Sequence, residues 1–398
     1  MSSSSPISLS ARASANAPYS LFAGLCASFV GVGLARFAYT PLIPALVGAA
    51  WLSPAGAVYL GATNFAGYLL GAIVSQAVGR RLGIPTALRA AMLLTAASFI
   101  ACGFPLSEAW LSVWRFLAGF TGALLMVLAA PGIVSRLPAA KRGIASGVIF
   151  TGIGLGVAVA GILLPPLLHY GLREVWIGFG AVTLLLAIFS WFGWHSPLAT
   201  QNAPALPLTH ERRRPLYALY GEYGLNAFGL VPHFVFFVDY IARGLGQGVT
   251  TGANYWIAFG IGASLGPILG GLLADRIGFR DALRSAYILQ TGAVLLPILN
   301  TSVIALSLSA LIAGASAPGV VALTIGRTQE LLPNDAARRV AWRNCTLMFA
   351  VAQAGGAYLL SFIFARSHDY GILFAIGTAA IALALLIDLI VVRDKRPG

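Results

Sequence analysis

Acidic side chains are scarce in this sequence. Asp and Glu together number 12 in 398 residues, and charged residues of all kinds make up only 9% while 58% are hydrophobic. A soluble chain must solvate its surface and carries roughly 25% charged residues, so that class is excluded. Cysteine is equally sparse. Cys26, Cys102 and Cys345 stand far apart, in or beside apolar runs, which argues against a disulfide scaffold and for buried thiols. No His-x3-His, Glu-x2-His or Ser/His/Asp grouping occurs, so a multispanning membrane enzyme is the weaker reading and neither metal nor cofactor is expected. A Gly-x4-Gly-Lys-Ser/Thr loop is missing too, which argues against ATP hydrolysis within this chain. The first 17 residues show no short apolar core with a small-residue cleavage site, and no cleaved signal peptide is expected. Neither tail nor linker is long enough to fold as a signalling domain, which disfavours a receptor.

What the chain does have is a succession of apolar runs, each long enough to cross a hydrocarbon core of roughly 30 Å. Twelve spans are expected near 18–46, 55–78, 85–105, 108–134, 143–168, 174–194, 215–243, 250–274, 282–301, 302–326, 340–365 and 369–392. The 46 glycines suit close helix packing in lipid. The longest polar stretch, "HSPLATQNAPALPLTHERRRP", follows the sixth span and reads as a flexible linker. The expected organisation is a tail at 1–17, a six-helix bundle at 18–194, a linker at 195–214, a second bundle at 215–392 and a tail at 393–398.

The net charge of +13 would fit a nucleic-acid partner, but its distribution argues against one. With the N-terminus inside, 20 of the 25 basic residues fall in cytoplasmic segments, and only Arg173, Arg243 and Arg366 fall outside. Both termini are therefore expected in the cytoplasm of a plasma (inner) membrane protein. Arg36 and Arg115 have no loop to sit in.

The two halves echo each other. "GLARFAYTP" at 33–41 aligns with "GLNAFGLVP" at 224–232, "GYLLGAI" at 67–73 with "GASLGPI" at 262–268, and "PGIV" at 131–134 with "PGVV" at 318–321. A series of matches in the same order points to duplication. Two pseudo-symmetric halves related by an axis along the membrane normal follow.

The run "GLLADRIGFR" at 271–280 resembles the loop signature Gly-x3-Asp-Arg-x-Gly-x-Arg of the major facilitator superfamily. The resemblance implies a gating loop containing Asp275, Arg276, Gly278 and Arg280, in which a carboxylate caps the next helix or pairs with an arginine. The first-half copy, "QAVGRRLGIP" at 76–85, departs from the pattern, with Arg80 where the aspartate should stand and Arg81 beside it. "RFLAGFTGA" at 115–123 is similar to the fourth-helix motif of that superfamily, and "GVGLARFAYTPLIPAL" at 31–46 to the opening of its YbfB/YjiJ-like branch. The resemblance implies an all-α membrane protein of the major facilitator fold. It also implies secondary active transport of a small organic solute by alternating access.

Arginine at the bilayer centre costs about 2.5–3.5 kcal/mol on insertion scales, and it normally faces a bundle interior or a water-filled cavity. Arg36 is expected on the solute path, with pairing to a carboxylate or to carbonyls freed by Pro41 and Pro44 as its structural alternative. Arg115 is either a solute residue or a helix–helix tie. The first half has no intramembrane acid, so the nearest proton-coupling candidates are Glu222 and His233 of the seventh span. Asp239 and Arg243 read as a helical ion pair. Tyr39, Asn64, Tyr68, Tyr223, Asn226 and Gln353 complete the expected solute site. Two unpaired arginines favour an organic anion as the solute. Proton-driven efflux of neutral or cationic compounds is the alternative. Protons and the lipid bilayer are the other expected partners, nucleic acid is not, and the chain is expected to be a monomer.

Overall fold

The structure, a computed structural model, describes residues 17–196, 210–332 and 334–391. The two tails and most of the linker expected from the sequence lie outside the described residues. Among those described, the regular structure is helical throughout, and 11 helices are long and apolar enough to cross a membrane.

The helices are α1 (Ala17–Ser28), α2 (Pro54–Leu82), α3 (Ile84–Cys102), α4 (Glu108–Val134), α5 (Ala139–Leu168) and α6 (Leu172–Ser190). They continue with α7 (His210–Gly229), α8 (Gly248–Leu299), α9 (Val303–Leu331), α10 (Asp335–Ser367) and α11 (Tyr370–Val391). Their starts are written in the sequence. Ser53, Ser107, Ser302 and Asn334 each accept a hydrogen bond from the backbone N–H three residues on, satisfying a donor that the first turn leaves free.

At 52 residues, α8 is about 78 Å long at 1.5 Å per residue, more than twice a hydrocarbon core. It is not continuous. Gly278 adopts φ 83° and ψ 158°, a backbone conformation open to glycine and strained for other residues. The break falls between the eighth and ninth spans read from the sequence, inside the 271–280 motif.

The expected first span is also broken, and earlier than its prolines. After α1 the backbone widens into a π-helix at Phe29–Leu34, runs through turns, tightens to a 3-10 turn at Thr40–Leu42 and resumes as helix at Ile43–Gly48. Arg36 therefore sits on irregular backbone and not in the middle of a helix. After α7 the chain behaves alike, with π-helical turns at Pro232–Phe236 and Tyr240–Gly244. Pro41 and Pro232 occupy matching places in the two repeats, and each removes an N–H from its helix.

Helix packing is set by glycine. A Cβ at Gly67 or Gly119 would collide with the carbonyl of Phe116 or Asn64, so α2 and α4 touch backbone to backbone. Gly262 and Gly314 hold α8 and α9 together in the same way, against the carbonyls of Leu311 and Phe259. The two contacts of the first pair thus recur in the second at a constant spacing of 195 residues along the chain.

Contacts between the first and second halves of the chain concentrate in two seams. In one, Gly154 of α5 lies against Gly260 and Ser264 of α8. In the other, the Thr63 hydroxyl of α2 is 3.3 Å from that of Tyr358 of α10.

Candidate solute site

The break after α1 frees backbone carbonyls, and their partners define the site. Ala35 O accepts from Asn64 Nδ2 at 3.1 Å and from Arg115 Nη1 at 3.0 Å. Asn64 Nδ2 also reaches Arg115 O at 2.9 Å, so α2, α4 and the break are tied by one amide. Phe37 O has no intrahelical donor from Pro41, which lacks an N–H. It accepts instead from Trp256 Nε1 of α8 at 3.1 Å. Thr40 Oγ1 donates in turn to Phe234 O at 2.5 Å. Both of these last bonds cross between the two halves of the chain.

Arg36, between those two freed carbonyls, takes neither. Its guanidinium carbon lies over the rings of Phe65 at 4.5 Å, Tyr68 at 4.6 Å and Phe37 at 5.3 Å. Contacts of this kind are worth up to about 2 kcal/mol each when desolvated. The side chain is 6% exposed, yet Nε and Nη2 have no hydrogen-bond partner among the described residues. These two N–H groups point the same way and form one fork, the arrangement that matches the two oxygens of a carboxylate. Its electrostatic neighbours are the phenols of Tyr68 and Tyr223, and no acid is among them.

Arg115 is a structural tie in part. One nitrogen holds Ala35 O and its guanidinium lies 4.8 Å from the centre of the Tyr39 ring. Its Nε and Nη2 are likewise buried and unpartnered. Tyr39 is fixed by its hydroxyl to Ala57 O at 2.7 Å and stacks on Trp176, so it belongs to the same tie.

Of the second-half candidates, Tyr223 packs against Phe349 at 4.8 Å and Trp342 at 6.1 Å. Asn226 Nδ2 donates to Gln290 Oε1 at 2.5 Å. Gln353, four residues beyond Phe349 on α10, is buried with its Nε2 unpartnered.

Glu222 is buried, but its electrostatic neighbours are Asp388, Arg327 and Arg284 of its own half and neither of the first-half arginines. Arg284 itself is bonded to Asp388. His233 is packed between Phe237 and Phe374, with Nε2 2.8 Å from Ser309 Oγ. Ser309 gives its only hydroxyl proton to Ala293 O at 2.6 Å. His233 Nε2 must therefore carry the ring proton and donate it, leaving Nδ1 bare and unpartnered. Asp239 and Arg243 form the expected pair through two bonds of 2.5 Å, and Tyr370 adds a third contact to Asp239 at 2.7 Å.

The 271–280 motif differs from its sequence reading. Asp275 and Arg276 are exposed, and Asp275 caps nothing among the described residues. The carboxylate at the Gly278 turn is Glu330 of α9, which accepts from Phe279 N at 3.0 Å and pairs with Arg327 at 2.8 Å. Arg280 is half-buried beyond the turn, and Arg80 and Arg81 are exposed in the last turn of α2. Sequence reasoning missed Glu330, Phe65 and Trp256. Only Trp256 had a signal, since Pro41 announces a freed carbonyl without naming the donor that takes it.

Over residues 28–389 the chain matches the family described as "Uncharacterised MFS-type transporter YbfB". It is also similar to a gallate transporter of Pseudomonas putida, with 25% identity over 292 residues, 64% of this chain and 64% of that protein. The match thus spans just under two thirds of that relative's length.

Proposed function

This chain belongs to the YbfB family of MFS-type transporters, and from that premise we propose that it carries a small organic anion across the membrane by alternating access. The solute's carboxylate is received by Arg36. The observation that carries this reading is the Arg36 fork: two parallel N–H donors, buried, ringed by aromatic faces and without an acid to neutralise them. A buried charge left in that condition is costly, and natural interiors pair their charges. A planar carboxylate on the same fork removes the cost and brings an aromatic or aliphatic body against Phe65, Tyr68 and Tyr223. The similarity to a transporter of gallate, an aromatic carboxylate, supports the same class. An unneutralised guanidinium repels a cation, which weighs against the efflux of cationic compounds.

The architecture in this proposal has twelve spans in two six-helix bundles, with the break at Gly278 dividing α8 into the eighth and ninth. The recurrence of the glycine contacts at a spacing of 195 residues supports two copies of one frame. The seal of Phe37, Phe234, Trp256 and Phe259 lies far along the broken first span and on the π-helical turn that follows α7, and near the start of α8. With both termini cytoplasmic in a plasma membrane, that seal closes the outer side and the protein faces inward. Glu222 serves as the proton-coupling group.

The test is a ligand-stabilisation screen of the purified protein with gallate, benzoate and aliphatic carboxylates beside their neutral amides. A melting temperature raised by carboxylates and unmoved by the amides is the expected result. Equal responses to acid and amide would refute the anion reading.

A further inference from the structure

Trp256 has a use beyond filling the seal. Its side chain is fully buried and stacks on Phe259, with centroids 4.6 Å apart and planes 16° apart. That stack alone would hold it. Its Nε1, however, reaches across to the one carbonyl that Pro41 deprives of a donor, on the residue next to Arg36. In the other repeat the position matching Trp256 is Gly61, which faces Val235 across the seam and Tyr39 of its own half. The tie is therefore made by one half only.

We infer that Trp256 is a positioning residue: its indole N–H anchors the broken segment carrying Arg36 to the second half while the outer side is closed, and releases it when that side opens. This rests on the rocking of two halves proposed above. The physical logic is an exchange of donors. While the halves touch, Phe37 O is satisfied by Trp256. When they part, that carbonyl must find water, so the tie favours the inward-facing form and the Arg36 segment gains freedom as the outer side opens. A net hydrogen bond of ordinary strength shifts such a balance by roughly two- to tenfold.

The experiment places a reporter at Val235, which is buried and faces Gly61 across the seam. Val235→Cys is labelled with a membrane-impermeant maleimide from the outer side, in the full chain and with the three buried native cysteines retained. Trp256→Phe keeps an aromatic ring against Phe259 and removes the N–H together with part of the indole ring, so the loss of the bond is separated from the loss of packing by the comparison with Pro41→Ala. Labelling should rise about two- to tenfold, while a chain lacking Val235→Cys stays unlabelled in the same background, which excludes unfolding as the cause. Pro41→Ala gives Phe37 O an intrahelical donor and makes the indole bond redundant, so it should raise labelling in the same way. Adding Trp256→Phe to Pro41→Ala should then raise labelling clearly less than it does alone, because only its packing part remains, a coupling that a residue needed only for packing would not show. Unchanged labelling in Trp256→Phe, or effects of the two substitutions that multiply, would overturn the inference and leave the rocking reading standing. No labelling of Val235→Cys in any variant over hours would overturn both.

Discussion

Gly119 rests so tightly on the carbonyl of Asn64 that no side chain fits between them, and Gly314 rests on the carbonyl of Phe259 in the same way 195 residues later. The frame is repeated while the chemistry hung on it is not. Asn64 holds Ala35 and Arg115, whereas its counterpart Phe259 joins the aromatic seal. Arg36 and Arg115 correspond to Ala227 and Ala310. The glycine contacts recur in both halves, whereas the two arginines are confined to the first.

The scaffold role is tested by the sign of glycine substitutions. Gly119→Ala forces a methyl group into backbone, and overpacking of this kind costs about 1–3 kcal/mol. Gly355→Ala on α10 meets nothing within 4 Å. It should stabilise by about 0.4–1 kcal/mol by restricting the unfolded chain. Thermal melts in detergent should therefore move in opposite directions for the two variants. Equal shifts would mean that the close crossing does not limit stability.

Asn64 and Arg115 share one acceptor, and this gives a second expectation. Removing either leaves Ala35 O with the other donor, so Asn64→Ala and Arg115→Met should each be milder than the loss of a fully unsatisfied carbonyl. The double variant strands the carbonyl, at about 1–3 kcal/mol. Its destabilisation should exceed the sum of the single effects, as read in a double-mutant cycle. Strict additivity would show that the two side chains do not support the break together.

Composition, apolar runs and the order of repeated motifs made the membrane class, the family and most helix ends legible, because these rest on local chemistry: length against bilayer thickness, serine caps, glycine turns. The site was legible only in part. Arg36 stood out because a charge in an apolar run has no local partner, and the Asp239–Arg243 pair because its spacing is four residues. Pairings made across the fold were not legible. Nothing near Glu222 in sequence tells that Asp388 and Arg284 are its neighbours. Likewise Glu330, 51 positions beyond Phe279, was hidden behind a motif that favoured Asp275.

That exchange of roles yields a third expectation. Glu330→Gln should loosen the Gly278 turn, because the charge-assisted bond to Phe279 N and the pair with Arg327 both weaken. The protection of the Phe279 amide against hydrogen exchange should fall several-fold, as expected for a bond worth about 1 kcal/mol. Asp275→Ala should leave that amide nearly unchanged. The opposite ranking would restore the aspartate to the role implied by the motif.

Glu222 supplies the fourth. A buried carboxyl group that exchanges a proton during transport is silenced by Glu222→Gln, which keeps its shape. Proteoliposomes should then lose accumulation driven by a pH gradient while retaining exchange of solute across the membrane. Undiminished uphill accumulation would remove Glu222 from the coupling step.

The last expectation concerns Arg36 and separates binding from support. Arg36→Lys keeps the positive charge and its attraction to the Phe65 and Tyr68 rings but loses the planar fork. Loss of a charge-assisted bond costs about 1.5–3 kcal/mol, so carboxylate affinity should fall roughly ten- to a hundredfold, with expression and melting temperature little changed. Arg36→Met removes a buried charge whose Nε and Nη2 hold no partner, so the melting temperature should stay level or rise while carboxylate binding disappears. If Arg36 instead supports the fold through its three aromatic contacts, Arg36→Met lowers the melting temperature and Arg36→Lys keeps its affinity. Measuring melting temperature and carboxylate affinity on both variants distinguishes the two, because the binding role and the supporting role predict different outcomes in each measurement.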